Sequence, residues 1–356
     1  MATFVTAALI EASQLIESQY GVKNVYRLLT NALEVASSVI YVHGTVPLGA
    51  GLSSSAALCV SLLFAFVRYA AHAIPNIPIE EVWAPPTLVA LAQAARRIEN
   101  VYCGVQCGIM DQFASVHAVG GSFLCLDCDT LQYQTHSIAG ALGNDYAFLL
   151  VNSMHTHALG DAYNRIRSSI EAGQRKVGAY VKEDTYLFCR SVAAWLQDPQ
   201  NAASPVKLLQ ECRTQELISE VEFLCSSYVV EEMIRTAAFI DTVGQIARNE
   251  LPQPEGIKKL GVLLNETHYG LSKKLCVSTE ELDFIQNNLC GGAQPKAVGG
   301  RLMGGGFGGC CLILIERAKI ESAVKDVAAA FNRQFGVPCD TFIVNELGQG
   351  ATSVVL

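Results

Sequence analysis

Apolar side chains recur at helical spacing over the first part of the chain. Residues 3–18 follow this spacing and predict a helix that ends at Gly21. An amphipathic stretch over residues 24–36 predicts a second helix, and the β-branched and aromatic residues of 37–43 predict a strand. Residues 56–67 form an apolar run without Gly or Pro, which predicts a buried helix and is too short to span a bilayer.

Helical and extended patterns continue to the end of the sequence. They predict helices over residues 87–100, 257–275 and 320–335, a largely helical region over 171–250, and strands over 123–128, 131–135, 146–151, 310–315 and 341–345. Thr87, which follows two prolines, is the predicted N-cap of its helix. We place a boundary after the third of these strands, which predicts domains over residues 1–152 and 153–356.

Composition narrows the class of protein. The 356 residues suit two domains, and 51% of them are hydrophobic while 16% are charged. The net charge is −8, and no Lys/Arg cluster indicates binding to nucleic acid or an anionic membrane. The N-terminus has no secretory signal, so we expect a cytoplasmic protein whose thirteen cysteines are reduced core thiols. Cys125 and Cys128 share a predicted strand but face opposite sides of it, which excludes a shared metal ion.

One segment combines two glycines with three serines between the predicted strand and the buried helix. Gly49 and Gly51 lack side chains that would block a phosphate, and they can adopt backbone angles that other residues avoid. Ser53, Ser54 and Ser55 bring hydroxyl groups to the helix start, next to unpaired N–H groups and the positive end of the helix dipole. The segment predicts a phosphate-binding loop, against the alternative of a capped turn that leads into a core helix. It is not a Walker A loop, because no Gly-Lys-Ser/Thr follows the glycines.

Two acidic residues are candidates for chemistry. The residue type alone leaves two roles equally open for Asp111: the N-cap of a helix, or a carboxylate that serves phosphoryl transfer as base or electrostatic anchor. Glu99 lies on the preceding helix. There, a solvated helix-end charge beside Arg96 and Arg97 is the simpler interpretation.

Three segments resemble, in the same order, the signature motifs of the galactokinase family of GHMP small-molecule kinases. Residues 47–56 look like the second motif of that family, residues 107–113 like the segment of its catalytic aspartate, and residues 304–310 like its third motif. The resemblance implies an α+β protein with the two-domain GHMP kinase fold. Its N-terminal domain would be similar to the second domain of ribosomal protein S5, and its C-terminal domain would be ferredoxin-like.

The resemblance also implies an activity, the phosphorylation of galactose at C1 by ATP to give galactose 1-phosphate. The segment with Gly49, Gly51 and the three serines would hold ATP, and Asp111 would face the C1 hydroxyl of the sugar. Glu99 would bind Mg²⁺ together with a motif serine, either Ser55 or Ser54, since Mg²⁺ needs few protein oxygens.

Two further segments take roles only through the resemblance. Residues 157–167 look like the family segment whose tyrosine contacts the sugar, which would make Tyr163 that residue; packing with a solvent-reaching hydroxyl is the alternative. The glycine-dense residues 299–309 would pack against the phosphate loop, whereas on their own they predict a tight hairpin with bulges.

One family motif has no counterpart. Galactokinases carry a first motif of the pattern Gly-Arg-Val-Asn-Leu-Ile-Gly-Glu-His-x-Asp-Tyr, which supplies sugar contacts and an arginine, and no such stretch occurs in this sequence. We expect the chain to start after it, as a fragment or truncated gene product of an active enzyme with an uncovered sheet edge. The alternatives are a non-catalytic relative that binds sugar or nucleotide, and a kinase for arabinose, galacturonate or N-acetylgalactosamine. The sequence leaves the oligomeric state open.

Overall fold

The structure of the chain is a computed structural model. It describes residues 1–35, 39–75, 77, 85–155, 161–182, 205–345 and 347–351, without the side chains of residues 85, 86, 139, 161 and 163. By their contacts these residues form two compact units, the first within 1–48, 53–137 and 346–356 and the second within 49–52 and 138–345. Residues 49–52 of the glycine–serine segment therefore belong to the second unit, although the residues on both sides of them belong to the first.

The first unit is mostly helical. Among its described residues it contains helices α1 (Ala2–Tyr20), α2 (Val25–Val35), α3 (Ser54–Ala73), α4 (Pro85–Arg97) and α5 (Met110–His117), and strands β1 (Ser122–Leu126) and β2 (Tyr133–Ser137). The predictions of α1, α2 and the strand pair are confirmed, and Gly21 ends α1 in the left-handed conformation with φ 68°. Thr87 lies inside α4 and is not its N-cap, because the helix already begins at Pro85.

The predicted strand over residues 37–43 is wrong for its described part. Residues 39–43 form no strand and pair with no described strand. Val39 and Tyr41 are 91% and 86% exposed. High β-propensity does not by itself form a strand, because the ladder hydrogen bonds need a neighbour.

Helix α3 is the predicted buried helix, and it is longer than the apolar run indicated. The helix has 20 residues and a mean hydropathy of 1.6 in its most apolar window, so it has the length and composition of a membrane span. The prediction that the apolar run is too short to span a bilayer is corrected for the whole helix. Half of that window is buried inside the protein. Cys59, Leu63 and Val67 of α3 pack in the core of the first unit with residues of α1, α4 and α5.

The second unit is built on one antiparallel sheet. Strands β3 (Tyr146–Asn152), β4 (Gly299–Leu302), β5 (Cys310–Glu316) and β6 (Thr341–Val344) form it in the order β4-β5-β3-β6. The predicted domain boundary after residue 152 differs from the division between the compact units, since β3 pairs with β5 and β6 of the second unit. In β3, Phe148 lies opposite Leu314 and Val344.

The second unit also contains helices. The described ones are α6 (Ala139–Leu142), α7 (Asp161–Val181), α8 (Pro205–Thr214), α9 (Glu220–Ala247), α10 (Gln253–Lys273), α11 (Glu280–Cys290) and α12 (Ile320–Phe335). Helix α10 begins four residues before the predicted 257, because Pro254 suits the first helical turn, where no N–H acceptor is needed. The predicted helix over 320–335 is confirmed as α12.

Candidate active site

The backbone of the glycine–serine segment takes the left-handed conformation three times. Gly49 and Gly51 have φ values of 71° and 68°, and Ser53 has φ 59°. The prediction that the two glycines adopt angles that other residues avoid is therefore confirmed. A left-handed serine is costlier, since a β-carbon there approaches the next carbonyl oxygen.

The start of helix α3 has free donors. Ser53 is its N-cap residue, yet its side chain makes no capping hydrogen bond, and a typical N-cap residue has an extended backbone instead. Ala57 N–H donates to Ser53 O at 3.0 Å. The N–H groups of Ser54, Ser55 and Ala56 have no acceptor among the described residues. Three unpaired N–H groups at the positive end of a long helix can bind an anion.

The glycine-rich loop that follows β4 winds tightly against its own unit. Four of its glycines have positive φ, and so does Phe307 at 59°. Phe307 N–H donates to Val277 O at 2.7 Å, and Gly309 N–H donates to His155 O at 3.2 Å. A β-carbon on Gly306 would lie 2.3 Å from Val277 O, and one on Gly308 would lie 2.5 Å from His155 O. Only glycine fits these two positions.

The two glycine segments pack against each other within the second unit. A β-carbon on Gly309 would lie 2.8 Å from Ala50 O, and one on Gly304 would lie 3.3 Å from Gly51 O. The expectation that these loops pack together is confirmed. The contact is backbone against backbone, so the conformation of residues 49–52 depends on the absence of side chains at Gly304 and Gly309.

Asp111 lies in the first turn of α5 with an exposed side chain. The N-cap of α5 is Ile109, without a side-chain capping bond, so the alternative of Asp111 as N-cap is wrong. The Asp111 carboxylate has no hydrogen-bond or ion-pair partner in the described part of the chain. It is thus an exposed acceptor on a helix whose other side is buried through Phe113 and Val116.

Glu99 is buried, which overturns the interpretation as a solvated charge. It lies in a π-helical turn, Ile98–Tyr102, and only 5% of its surface is exposed. Its Oε2 accepts a hydrogen bond from Nε2 of Gln112, the residue after Asp111. The neighbouring arginines are engaged elsewhere: Arg97 pairs with Glu11 at 2.7 Å, and Arg96 donates to Cys107 O at 3.2 Å.

The burial of Glu99 has an electrostatic consequence. Among the described residues its carboxylate has a neutral amide as partner and no ion pair. A buried carboxylate without a cation is unfavourable, because desolvation is not offset by Coulomb attraction. A bound cation would offset it.

Glu99 also lies beside the helix that carries the serines. Burial and then the charge of Glu99 raise the pKa of the Cys59 thiol. Cys59 follows Ser55 by four residues on α3, so the two lie on the same helix face, and side chains on a helix tilt toward its N-terminus. The face of α3 near Glu99 is therefore the one that carries Ser55 rather than Ser54.

The loop between Glu99 and Asp111 is fixed by one asparagine that sequence reasoning did not single out. Asn100 Oδ1 accepts from Cys107 N–H at 3.1 Å and from the Cys107 thiol at 3.0 Å, and Asn100 Nδ2 donates to Cys107 O at 3.3 Å. Gln112 was missed as well, because nothing in its local pattern shows that its amide reaches Glu99. Burial and the nearby Glu99 charge raise the pKa of Cys107, which keeps the thiol protonated.

The remaining candidates from the sequence are Tyr163 and the cysteines. Helix α7 contains Tyr163, but its side chain lies outside the described structure. The described residues hold no group of three or more His, Cys, Asp or Glu that could bind a metal ion. Cys128 and Cys276 are exposed, so the prediction of core thiols is wrong for these two residues.

Known proteins resemble this chain along most of its length. The family profile of the GHMP kinases N terminal domain matches residues 21–118. A galactokinase from Exiguobacterium sibiricum is 30% identical over 316 residues, which cover 88% of this chain and 70% of that protein. The chain belongs to the galactokinase family. A second galactokinase, from Thermococcus kodakarensis, is 29% identical over 325 residues, or 91% of this chain and 78% of that protein.

A solved structure of the galactokinase family confirms the fold. The crystal structure of Lactococcus lactis galactokinase complexed with galactose has a TM-score of 0.65 to this chain and 24% sequence identity. The match covers 93% of this chain and 76% of the Lactococcus lactis chain. The predicted α+β GHMP kinase fold is therefore confirmed. Members of the GHMP family use ATP as phosphate donor.

Proposed function

We propose that the chain is an ATP-dependent sugar kinase that phosphorylates galactose at C1 and releases galactose 1-phosphate and ADP. The observation that carries this proposal is the backbone contact between the two glycine segments, which holds left-handed Gly49 and Gly51 directly before a helix with free N–H groups. The relatives named galactokinase, which match 88% and 91% of the chain, support galactose as the sugar.

The glycine–serine segment binds the phosphates of ATP in this proposal. Gly49 and Gly51 let the phosphates approach the backbone, and the hydroxyls of Ser53, Ser54 and Ser55 add donors beside the free N–H groups. The chain has a net charge of −8, so this local set of donors, rather than the overall field, must attract the nucleotide.

Asp111 acts on the sugar. Its exposed carboxylate, free of other described partners, can accept a hydrogen bond from the C1 hydroxyl and take its proton as the hydroxyl attacks the γ-phosphorus. The bond between the γ-phosphorus and its bridging oxygen breaks, and ADP leaves. Orientation of the hydroxyl and the phosphate supplies much of the rate enhancement in such a transfer.

The residues present fit a magnesium ion. Glu99 is a buried carboxylate whose described partner is a neutral amide, and Ser55 is the hydroxyl that the Cys59 relationship favours. One carboxylate and one hydroxyl are a typical protein share for Mg²⁺, which completes its shell with water and phosphate oxygens. When bound, the ion neutralises charge on the phosphates.

The remaining assignments extend the same proposal. Tyr163 contacts the sugar, and the enzyme works in the cytoplasm. A non-catalytic role, or another sugar such as arabinose, galacturonate or N-acetylgalactosamine, is an outcome of the test rather than a second proposal.

The test is a panel of sugars with direct detection of the product. The purified chain is incubated with ATP, Mg²⁺ and one of the four sugars, and sugar 1-phosphate is detected by phosphorus NMR. We expect galactose 1-phosphate as the main product. A different sugar phosphate would correct the substrate, and ATP binding without any product would support the non-catalytic alternative.

A further inference from the structure

The segment over residues 347–351 caps the helix that carries Asp111. Ala351 N–H donates to Ser115 O at 2.8 Å, and Gly350 N–H donates to Ala118 O at 2.7 Å. The carbonyl groups in the last turn of a helix have no partner within the helix, so external donors of this kind stabilise its end. Both residues belong to the same compact unit as α5.

The same segment also holds the turn that follows α5. Leu347 O accepts from Gly121 N–H at 3.0 Å, and Gln349 Oε1 accepts from Gly120 N–H at 3.1 Å, across 229 residues of sequence. Segment 347–351 thus makes four hydrogen bonds to residues 115–121. It contacts the end of α5 opposite to Asp111.

Gly350 shows how closely the segment approaches. A β-carbon there would lie 2.5 Å from Val116 O and 2.9 Å from Ala118 N. Gly350 is buried, whereas Gly348, two residues earlier, is exposed and has no atom within 4 Å of a β-carbon. The two glycines therefore form a matched pair, one in contact with α5 and one not.

Helix α5 depends on such external contacts for its position. It has eight residues, and a helix of this length is marginal alone. Phe113 anchors its middle in the core and stacks on His117 at 4.1 Å, and Gln112 ties its first turn to Glu99. Its last turn is bonded to segment 347–351. A shift at that end would tilt the short helix and displace the Asp111 carboxylate.

We propose that segment 347–351 is a positioning element for Asp111, one that sets the orientation of α5 and thereby the rate of phosphoryl transfer. This inference rests on the proposed role of Asp111. The segment touches neither glycine loop in the bonds described above, so it acts on the chemical step and not on the binding of ATP.

The test compares Gly350→Ala with Gly348→Ala in the full chain, at a temperature where circular dichroism shows both variants folded. We expect Gly350→Ala to lower kcat about tenfold or more, because misplacements of about 1 Å are costly to catalysis. The KM for ATP should stay within about twofold, and Gly348→Ala should match the unsubstituted chain. In an Asp111→Ala background, Gly350→Ala should cause no further loss, since the two substitutions act on one group.

Three results would overturn the proposal. The first is equal rates for the two glycine variants, and the second is a further equal loss in the Asp111→Ala background, which would indicate a general structural effect. The third is a result of hydrogen exchange, and it is needed if the unsubstituted chain has no kinase activity. Such inactivity would count against the proposed function itself. In that case, hydrogen exchange of the amides in residues 114–121 decides, and unchanged exchange in Gly350→Ala would show that the segment does not hold α5.

Discussion

Gly309 lies so close to Ala50 that a β-carbon on it would be 2.8 Å from the Ala50 carbonyl oxygen. These residues are far apart in sequence, and each lies in a glycine segment with several positive φ values. The contact explains why two glycine-dense stretches occur in one chain. Each shapes the backbone of the other, and the close approach is possible because Gly309 carries no side chain.

We expect Gly309→Ala to weaken ATP binding by about tenfold or more, because the added methyl group displaces the backbone around Ala50. The KM for ATP and a calorimetric titration measure this. Gly292→Ala is the matched control, since Gly292 has φ 80° against 83° for Gly309 but no atom within 4 Å of a β-carbon. It should lose about 1–2 kcal/mol of stability from backbone strain while ATP binding is unchanged. Equal effects of both substitutions on ATP binding would contradict the role of the contact.

Glu99→Gln separates a metal ligand from a structural carboxylate. The substitution replaces a buried charge with a neutral amide of the same shape, so without Mg²⁺ the free energy of unfolding should be unchanged or higher. The Mg²⁺ concentration for half-maximal activity should rise about tenfold or more, because the ion loses a charged ligand. A less stable protein with an unchanged Mg²⁺ requirement would show that Glu99 holds only the fold.

Ser55→Ala should raise the Mg²⁺ requirement in the same direction as Glu99→Gln, and Ser54→Ala is its control. The expectation follows from Cys59, which lies one turn after Ser55 on α3 and whose pKa is raised by burial and by Glu99. The same magnesium titration distinguishes the two serines. If Ser54→Ala has the larger effect, Glu99 does not pair with the Ser55 face of α3.

The burial of His268 makes the stability of the protein depend on pH. Its Nδ1 accepts from Leu302 N–H at 3.1 Å, so the ring proton is on Nε2, which donates to Asp283 Oδ1 at 3.1 Å. Burial lowers the pKa of His268. The folded protein then binds fewer protons than the unfolded one, so this contribution to stability is full above the unfolded pKa of about 6.5 and is lost as the pH falls below it.

Thermal unfolding between about pH 7.5 and about pH 5 measures this dependence. His268→Gln should flatten the decline in Tm toward acid pH, and His72→Gln, which changes an exposed histidine of α3, should leave the decline as it is. An unchanged decline in His268→Gln would assign the acid sensitivity to other groups.

Local backbone requirements could be predicted from the residues themselves, whereas the contact between the two glycine segments was expected only through the family resemblance. The left-handed glycines at 49 and 51 follow from local chemistry, and so does the buried helix α3. The strand over 37–43 failed because a strand needs a partner, which the local pattern does not show. Glu99 was misjudged for the same reason, since its burial results from the π-helical turn and from Gln112, thirteen residues away.

The most direct measurement is ADP release by the purified 356-residue chain with ATP and Mg²⁺, with and without galactose, for the unsubstituted protein and for Asp111→Ala. We expect galactose-dependent release that falls by about 100-fold or more in the variant, because the proton of the attacking hydroxyl loses its acceptor. Asp111→Asn, which keeps the shape without the charge, should be equally impaired. Galactose-dependent release that persists in both variants would contradict the role of Asp111, and release that never depends on galactose would contradict the proposal that this chain is a galactose kinase.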